Sequence, residues 1–329
     1  MRKHIVITSI FPPTEAVGAF SRMSDCRLVV VGDRKTPLDW HCENVTFLSI
    51  GKQGSMGTRL HEVLPYDHYS RKMFGYLHAI RENATCIIDT DDDNIPKEHW
   101  GFPSFDGTYD FIPGGKGFIN IYQSYCDQKI WPRGLPLSLV NRQFNLDNEI
   151  VSRRCEVGIW QGLADENPDV DAVYRLTSDA PCVFRDRAPL VLGQDTVSPF
   201  NTQNTMVRKE LFPLLYLPTF VTFRFTDILR GLVAQPIMWR SGYHVGFIGA
   251  TVVQRRNFHD YFKDFISEIP MYQHCARVVD LVGGAIRANC SVTDNLAIAY
   301  EALHKAGIVE ERELRVLDAW LQDIRESSP

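Results

Sequence analysis

The most acidic stretch of the chain is Asp89-Thr90-Asp91-Asp92-Asp93-Asn94, directly after the apolar run Thr85-Cys86-Ile87-Ile88. Four carboxylates in five residues repel one another, so a folded state needs a cation or strong donors to keep them charged together. Hard oxygen ligands of this kind suit magnesium, manganese or calcium. At the carboxyl end of a buried strand the run fits a site for a metal and a diphosphate; the alternative is a solvated acidic turn. A calcium-binding EF-hand is a poor fit, because its glycine and twelfth-position glutamate are missing.

Other groups offer weaker chemistry. Tyr69-Ser70-Arg71-Lys72 puts two cations shortly before the acidic run, where they would hold phosphate or sugar oxygens, or else form a solvated helix face. Pro113-Gly114-Gly115-Lys116-Gly117 could cradle a phosphate, but it lacks the P-loop spacing and the following Ser or Thr, so a glycine-rich turn is the better reading. No GxGxxG follows a strand, and no Gly-x-Ser-x-Gly is present. The segment from Pro199 to Thr205 is dense in amides and hydroxyls, which suits sugar hydroxyls and also ordinary turns. Arg224-Phe225-Thr226-Asp227-Ile228-Leu229-Arg230 sets one carboxylate between two arginines: a general base or acceptor orienter, or a buried structural pair. His99, His244 and His259 stand alone and read as structural.

These residues need elements to position them. Ile5–Ile10, Cys26–Asp33, Val45–Ile50 and Thr85–Asp89 read as buried strands. A helix over Leu64–Asn83 has apolar Phe74, Leu77 and Ile80 on one face. Strands alternating with helices predict an α/β fold with a mostly parallel mixed sheet, whose ligand site lies beyond the carboxyl ends of the strands. Residues 100–200, rich in Gly, Pro and Asn, read as long loops on the sheet edge. From about Val278 the chain reads as helical to its end.

Composition bounds the function classes. The chain has 329 residues, 44% hydrophobic and 23% charged, with a net charge of −5, which is ordinary globular composition. No basic tract stands out. Arg255-Arg256 is an isolated pair, so a nucleic-acid partner is not favoured. The most apolar stretch, Leu211–Phe223, contains two prolines and falls short of the roughly 20 residues of a membrane span. The basic N-terminus mimics a signal peptide, but its apolar run breaks at Pro12-Pro13. The eight cysteines are scattered with no CxxC pair. They read as free thiols in a reducing, cytoplasmic setting.

The run Arg71–Asn94, with IWPRGLPLS (130–138), GIWQGLADENPDVDAVYRLT (158–177), PFNTQNTMVRKELF (199–212) and RFTDILRGLVAQPIMW (224–239), resembles two related groups. The closer is the STELLO family of glycosyltransferase-like proteins. The more distant is the reversibly glycosylated polypeptide family, which includes UDP-arabinopyranose mutases. The resemblance covers most of residues 1–260. It implies a GT-A-type nucleotide-diphospho-sugar transferase fold over 1–262, with a nucleotide-sugar half to about residue 100 and an acceptor half after it. A C-terminal helical extension over 263–329 then covers the sheet or serves as a docking or homo-oligomer surface.

The resemblance also implies a nucleotide-sugar donor, foremost a UDP-sugar, a divalent manganese or magnesium ion held by Asp91 and Asp93, and a glycan, small-molecule or protein acceptor. Donor contacts fall to Thr8, Arg71, Lys72, Asp89, Asp92, Asn204, Arg224 and Arg230. Asp227 is the expected catalytic base of an inverting transfer. Arg133 matches the arginine that carries sugar in the reversibly glycosylated proteins, which keeps a UDP-sugar mutase open; a non-catalytic scaffold is the other alternative. Thr226 departs from the acidic pair of those relatives. Gln254 stands where many GT-A enzymes have a metal-binding histidine, with His244 and His259 as substitutes. STELLO relatives carry a membrane anchor; without one, the chain is expected to be a free catalytic module.

Overall fold

The computed structural model describes residues 2–178, 180–255 and 260–327. In the N-terminal third, β1 (Lys3–Thr8), α1 (Glu15–Phe20), β2 (Cys26–Val31), β3 (Val45–Leu48), α2 (Ile50–Ser55), α3 (Leu60–Val63), α4 (Met73–Arg81) and β4 (Cys86–Thr90) alternate. There follow β5 (Asn94–Pro96), β6 (Asp106–Ile112), β7 (Gly117–Phe118), β8 (Val151–Glu166), α5 (Ala172–Thr177), β9 (Leu190–Leu192), β10 (Thr196–Val197), β11 (Asn204–Arg208), α6 (Thr226–Arg240) and β12 (His244–Gln254). The chain continues through α7 (Tyr261–Ala285), α8 (Val292–Lys305) and α9 (Glu311–Ser327).

Ten strands form one mixed sheet in the order β3-β2-β1-β4-β11-β8-β6-β9-β12-β5, with β8 also paired to β12. The first four strands are parallel. β11 enters antiparallel to both β4 and β8. That reversal matters for the site: Asn204 lies opposite Thr90, so the residues leading into β11 meet those leaving β4. Gln254, at the end of β12, lies opposite Asn94. The exits of β1, β2, β4 and β12 and the entry of β11 therefore share one end of the sheet.

Helix α4 lies tightly on β1 and β2. A Cβ on Gly75 would come 2.5 Å from Val6 and 2.8 Å from Val31, far inside normal contact, so only glycine permits this approach. The α/β architecture with a mixed sheet between helices is the one expected. α7 packs on α6, and α9 packs on α3 and α4. The C-terminal helices thus cover the body of the fold.

Three expectations change. The 100–200 region is not mainly loop: it holds β6 and the 16-residue β8. Its first four residues are exposed and carry no apolar run, because β8 pairs with β6 there and with β12 only further on. The helix before β4 starts at Met73, after a 3-10 turn over Tyr69–Lys72. The C-terminal helices start at Tyr261 rather than near Val278, and α7 carries Pro270 inside it. The described cysteines are all free, five of them buried. Among the described residues no helix is long and apolar enough to cross a membrane.

Candidate functional site

A cavity of about 370 Å³ opens at the shared end of the sheet. β1 brings Thr8 and Ser9 to it, β2 brings Gly32 and Asp33, and β4 brings Asp91, Asp92 and Asp93. The entry of β11 adds Asn201, Thr202 and Gln203, and β12 adds Gln254. The cavity thus opens at the end of the sheet where the strand-end rule expects a ligand site.

Beneath the cavity the first carboxylate of the acidic run is fully used. Asp89 is buried. Lys72 Nζ lies 2.5 Å from its Oδ1 and Arg230 Nη1 donates to its Oδ2 at 2.8 Å. Tyr76 donates its hydroxyl to the same Oδ2 at 2.6 Å. Burial works against the Lys72 charge, but Asp89 and Asp91 hold its ammonium above the usual lysine range. Asp89, Lys72 and Arg230, expected to touch the donor, instead form an interior ion cluster that does not line the cavity. Asn204 is also withdrawn: it is buried, donates to Thr251 at 2.8 Å and accepts from Trp100 at 3.3 Å.

The rest of the acidic run faces the cavity. Lys72 donates to Asp91 Oδ1 at 3.2 Å. Burial pushes the Asp91 carboxyl up to about 7, opposed by Lys72 and helped by Asp93 and Asp89. Ser9 donates to Asp92 Oδ2 at 2.5 Å, and burial raises that carboxyl too. Gln254 Nε2 donates to Asp93 Oδ2 at 3.2 Å, so the residue standing at the expected histidine position does reach the acidic run. His244 cannot replace it. It sits at the other end of β12, where Nδ1 meets the Leu192 carbonyl at 3.0 Å. His259 and Arg256 lie outside the described residues. Among the described residues no three His, Cys, Asp or Glu side chains group as a metal site. Two carboxylates completed by ligand oxygens and water still suit magnesium or manganese, and Asp91 and Asp93 supply two on one wall.

Arg71 is buried and held. Its Nε and Nη2 donate to Gln53 Oε1 at 2.9 and 2.5 Å, and its guanidinium stacks 4.3 Å from the Tyr66 ring centroid. It borders the cavity with Asp33, a residue the sequence marked only as the end of a strand.

On the opposite wall Arg133 joins two carboxylates. Nε and Nη2 donate to Asp169 at 2.8 and 2.9 Å; Nη1 and Nη2 donate to Asp227 at 2.9 and 2.8 Å. Nη1 also donates to the Arg224 carbonyl. A guanidinium has five N–H donors, and all five are engaged. With all five engaged, Arg133, expected to match a sugar-carrying arginine, offers no N–H that is not already paired within the protein. Asp169 was missed by sequence reasoning. It also accepts from Asn201 at 2.8 Å. Burial raises its pKa, but Arg133 and Arg224 outweigh it and hold the carboxyl below the usual range. Arg224 lines the same wall, next to Phe223, whose ring is 60% exposed at the cavity mouth. Arg224 Nε donates at 2.8 Å to Glu268 of α7, another residue the sequence did not single out.

The comparisons with known proteins follow the same lines. Residues 224–328 match the family model of the STELLO glycosyltransferases. Two proteins of Arabidopsis thaliana, the probable glycosyltransferases STELLO1 and STELLO2, are 28% and 27% identical over 98% of this chain. The chain spans 44% of the length of each of these relatives. A crystal structure of a mycobacterial protein superposes with a TM-score of 0.37 at 12% identity, over 85% of this chain and 72% of that one. The C-terminal third of the chain thus matches the STELLO family model, and nearly the whole chain is similar to part of these two proteins.

Proposed function

We propose that the chain is a metal-dependent glycosyltransferase that takes a nucleotide sugar, by preference a UDP-sugar, and transfers the sugar to an acceptor. One observation carries the reading. Asp33, Asp67, Asp91, Asp92, Asp93, Asp169 and Asp227 line the cavity against Lys35, Arg71, Arg133 and Arg224. Seven carboxylates facing four cations repel a diphosphate unless a divalent cation intervenes. Asp91 and Asp93 would hold it, as manganese or magnesium, together with ligand oxygens. When bound, it supplies Lewis-acid neutralisation of the departing diphosphate.

The chain's own groups do the rest. Asp92, fixed by Ser9, offers an oxygen to ribose or sugar. Asp227, aligned by both arms of Arg133, faces the cavity and takes the acceptor hydroxyl proton in an inverting displacement. Family likeness supports the transferase class, and the relatives' names say the same of those longer proteins. The mutase alternative loses its support with the engaged Arg133.

A thermal-shift screen with UDP-, GDP-, CMP- and dTDP-sugars, with and without manganese, tests the reading. A ligand at 100 times its dissociation constant adds roughly 2.7 kcal/mol. One nucleotide should shift the wild type only with metal, and the shift should vanish in Asp93→Ala. No shift with any nucleotide, from a folded protein, overturns the reading and leaves a non-catalytic scaffold.

A further inference from the structure

The cavity's cations are not equivalent. Arg133 has every N–H engaged. Arg71 is tied to Gln53, the Pro65 carbonyl and the Tyr66 face. Arg224 differs. Nε donates to Glu268 Oε1 at 2.8 Å, and Nη2 donates to the Val170 carbonyl at 3.2 Å and lies 2.8 Å from the same Glu268 oxygen. Its Nη1 has no protein partner among the described residues, and Arg224 borders the cavity. One edge of the guanidinium is thus anchored, and the nitrogen left over belongs to a cavity-lining side chain.

The anchor is specific. Glu268 is fully buried on α7. Its other oxygen accepts from the Ala172 backbone N–H at 2.7 Å and from the Tyr272 hydroxyl at 2.5 Å. Four donors around one buried carboxylate leave it no freedom to turn. The carboxylate fixes the Nε edge of Arg224 in the plane that carries Nη1, and a guanidinium is rigid and planar. Glu268 therefore decides where the uncommitted nitrogen sits.

We propose that Glu268 is a positioning residue for the ligand's anionic group: it holds Arg224 so that Nη1 donates to a phosphate oxygen of the nucleotide. The inference rests on the nucleotide-sugar reading above. It also makes the C-terminal helical layer part of the site, rather than only a cover or a docking surface.

UDP and uridine, each titrated calorimetrically with manganese into the full chain, separate the possibilities. Uridine lacks the phosphates, so the ratio of the two affinities reports phosphate contact alone. Glu268→Gln and Arg224→Gln should each lower UDP affinity about tenfold, the worth of one charge-assisted hydrogen bond, and leave uridine affinity unchanged. In the double variant Glu268→Gln/Arg224→Gln the losses should not add, because both act through one nitrogen. Arg224→Lys, which keeps the charge without the fork, should recover only part of the loss. Equal losses for UDP and uridine, or additive losses, overturn the positioning role and make Glu268 purely structural. Wild type that binds neither probe overturns the nucleotide reading itself, and this inference with it.

Discussion

Arg133 and Asp227 lie edge to edge, joined by two hydrogen bonds of 2.9 and 2.8 Å. The two residues expected to do separate chemistry are one unit, with Asp169 on the far edge of the same guanidinium. Arg133 is therefore a device for aligning carboxylates. Incubation with UDP-sugars should add no sugar mass to the peptide carrying Arg133, as read by mass spectrometry. Arg133→Lys, which cannot bridge both acids, should destabilise the fold by about 2 kcal/mol in urea unfolding.

The Asp89 cluster makes a sharper stability prediction. Lys72→Met removes one of two cations from a buried carboxylate and leaves charge uncompensated. Loss of one partner from a buried pair costs about 3 kcal/mol, so the urea midpoint should fall by that equivalent. Arg230→Met should behave alike. A change under about 1 kcal/mol in both would show that the cluster is not the interior charge network described above.

Gln254 offers a gain rather than a loss. It already touches Asp93, and an imidazole there adds a nitrogen ligand to a site built of oxygen donors. Gln254→His should tighten manganese binding about tenfold, measured by calorimetry without nucleotide. No gain would place the cation elsewhere than between Asp91 and Asp93.

The pH dependence of stability has a separate source in His4. The ring is buried in β1 and neither nitrogen has a hydrogen-bond partner among the described residues. Burial, then Arg27 and His78, push its pKa down to about 4. The unfolded chain takes up this proton near pH 6.5, whereas the folded chain resists until about pH 4. Stability from the neutral ring is thus whole above pH 6.5 and lost as pH falls toward 4. His4→Val should gain on the wild type by about 2 kcal/mol between pH 7 and pH 4.5 in urea titrations.

Legibility in the sequence followed range. The strands carrying Thr8, Val31 and Asp89 are short apolar runs ending in polar residues, and the acidic run marks itself. Asp91, Asp93, Arg224 and Asp227 were accordingly found at the cavity. The errors lie where a partner decides the role. Lys72 and Asp89 read as ligand contacts because their spacing does not reveal that each neutralises the other. Asp169 and Glu268 are acids whose meaning comes from Arg133, 36 residues away, and Arg224, 44 residues away. β8 escaped notice because its first half is polar and its pairing changes along its length.

The last helix closes contacts with the first third of the chain. Asp323 of α9 accepts the backbone N–H groups of Arg59 and Leu60, both at 2.9 Å and as many as 264 residues apart in sequence. Glu313 of the same helix accepts from Thr219 at 2.8 Å and Phe220 at 2.6 Å, just ahead of Phe223 and Arg224. The Arg59 amide therefore waits through 264 residues of synthesis for its acceptor. Until then the segment ahead of Phe223 and Arg224 lacks its carboxylate anchor, and the apolar surface that α9 covers stays open to chaperones. A stop codon before α9 would leave the acidic run intact, but the Thr219–Phe220 segment just ahead of the cavity-lining Phe223 and Arg224 would lose its Glu313 anchor.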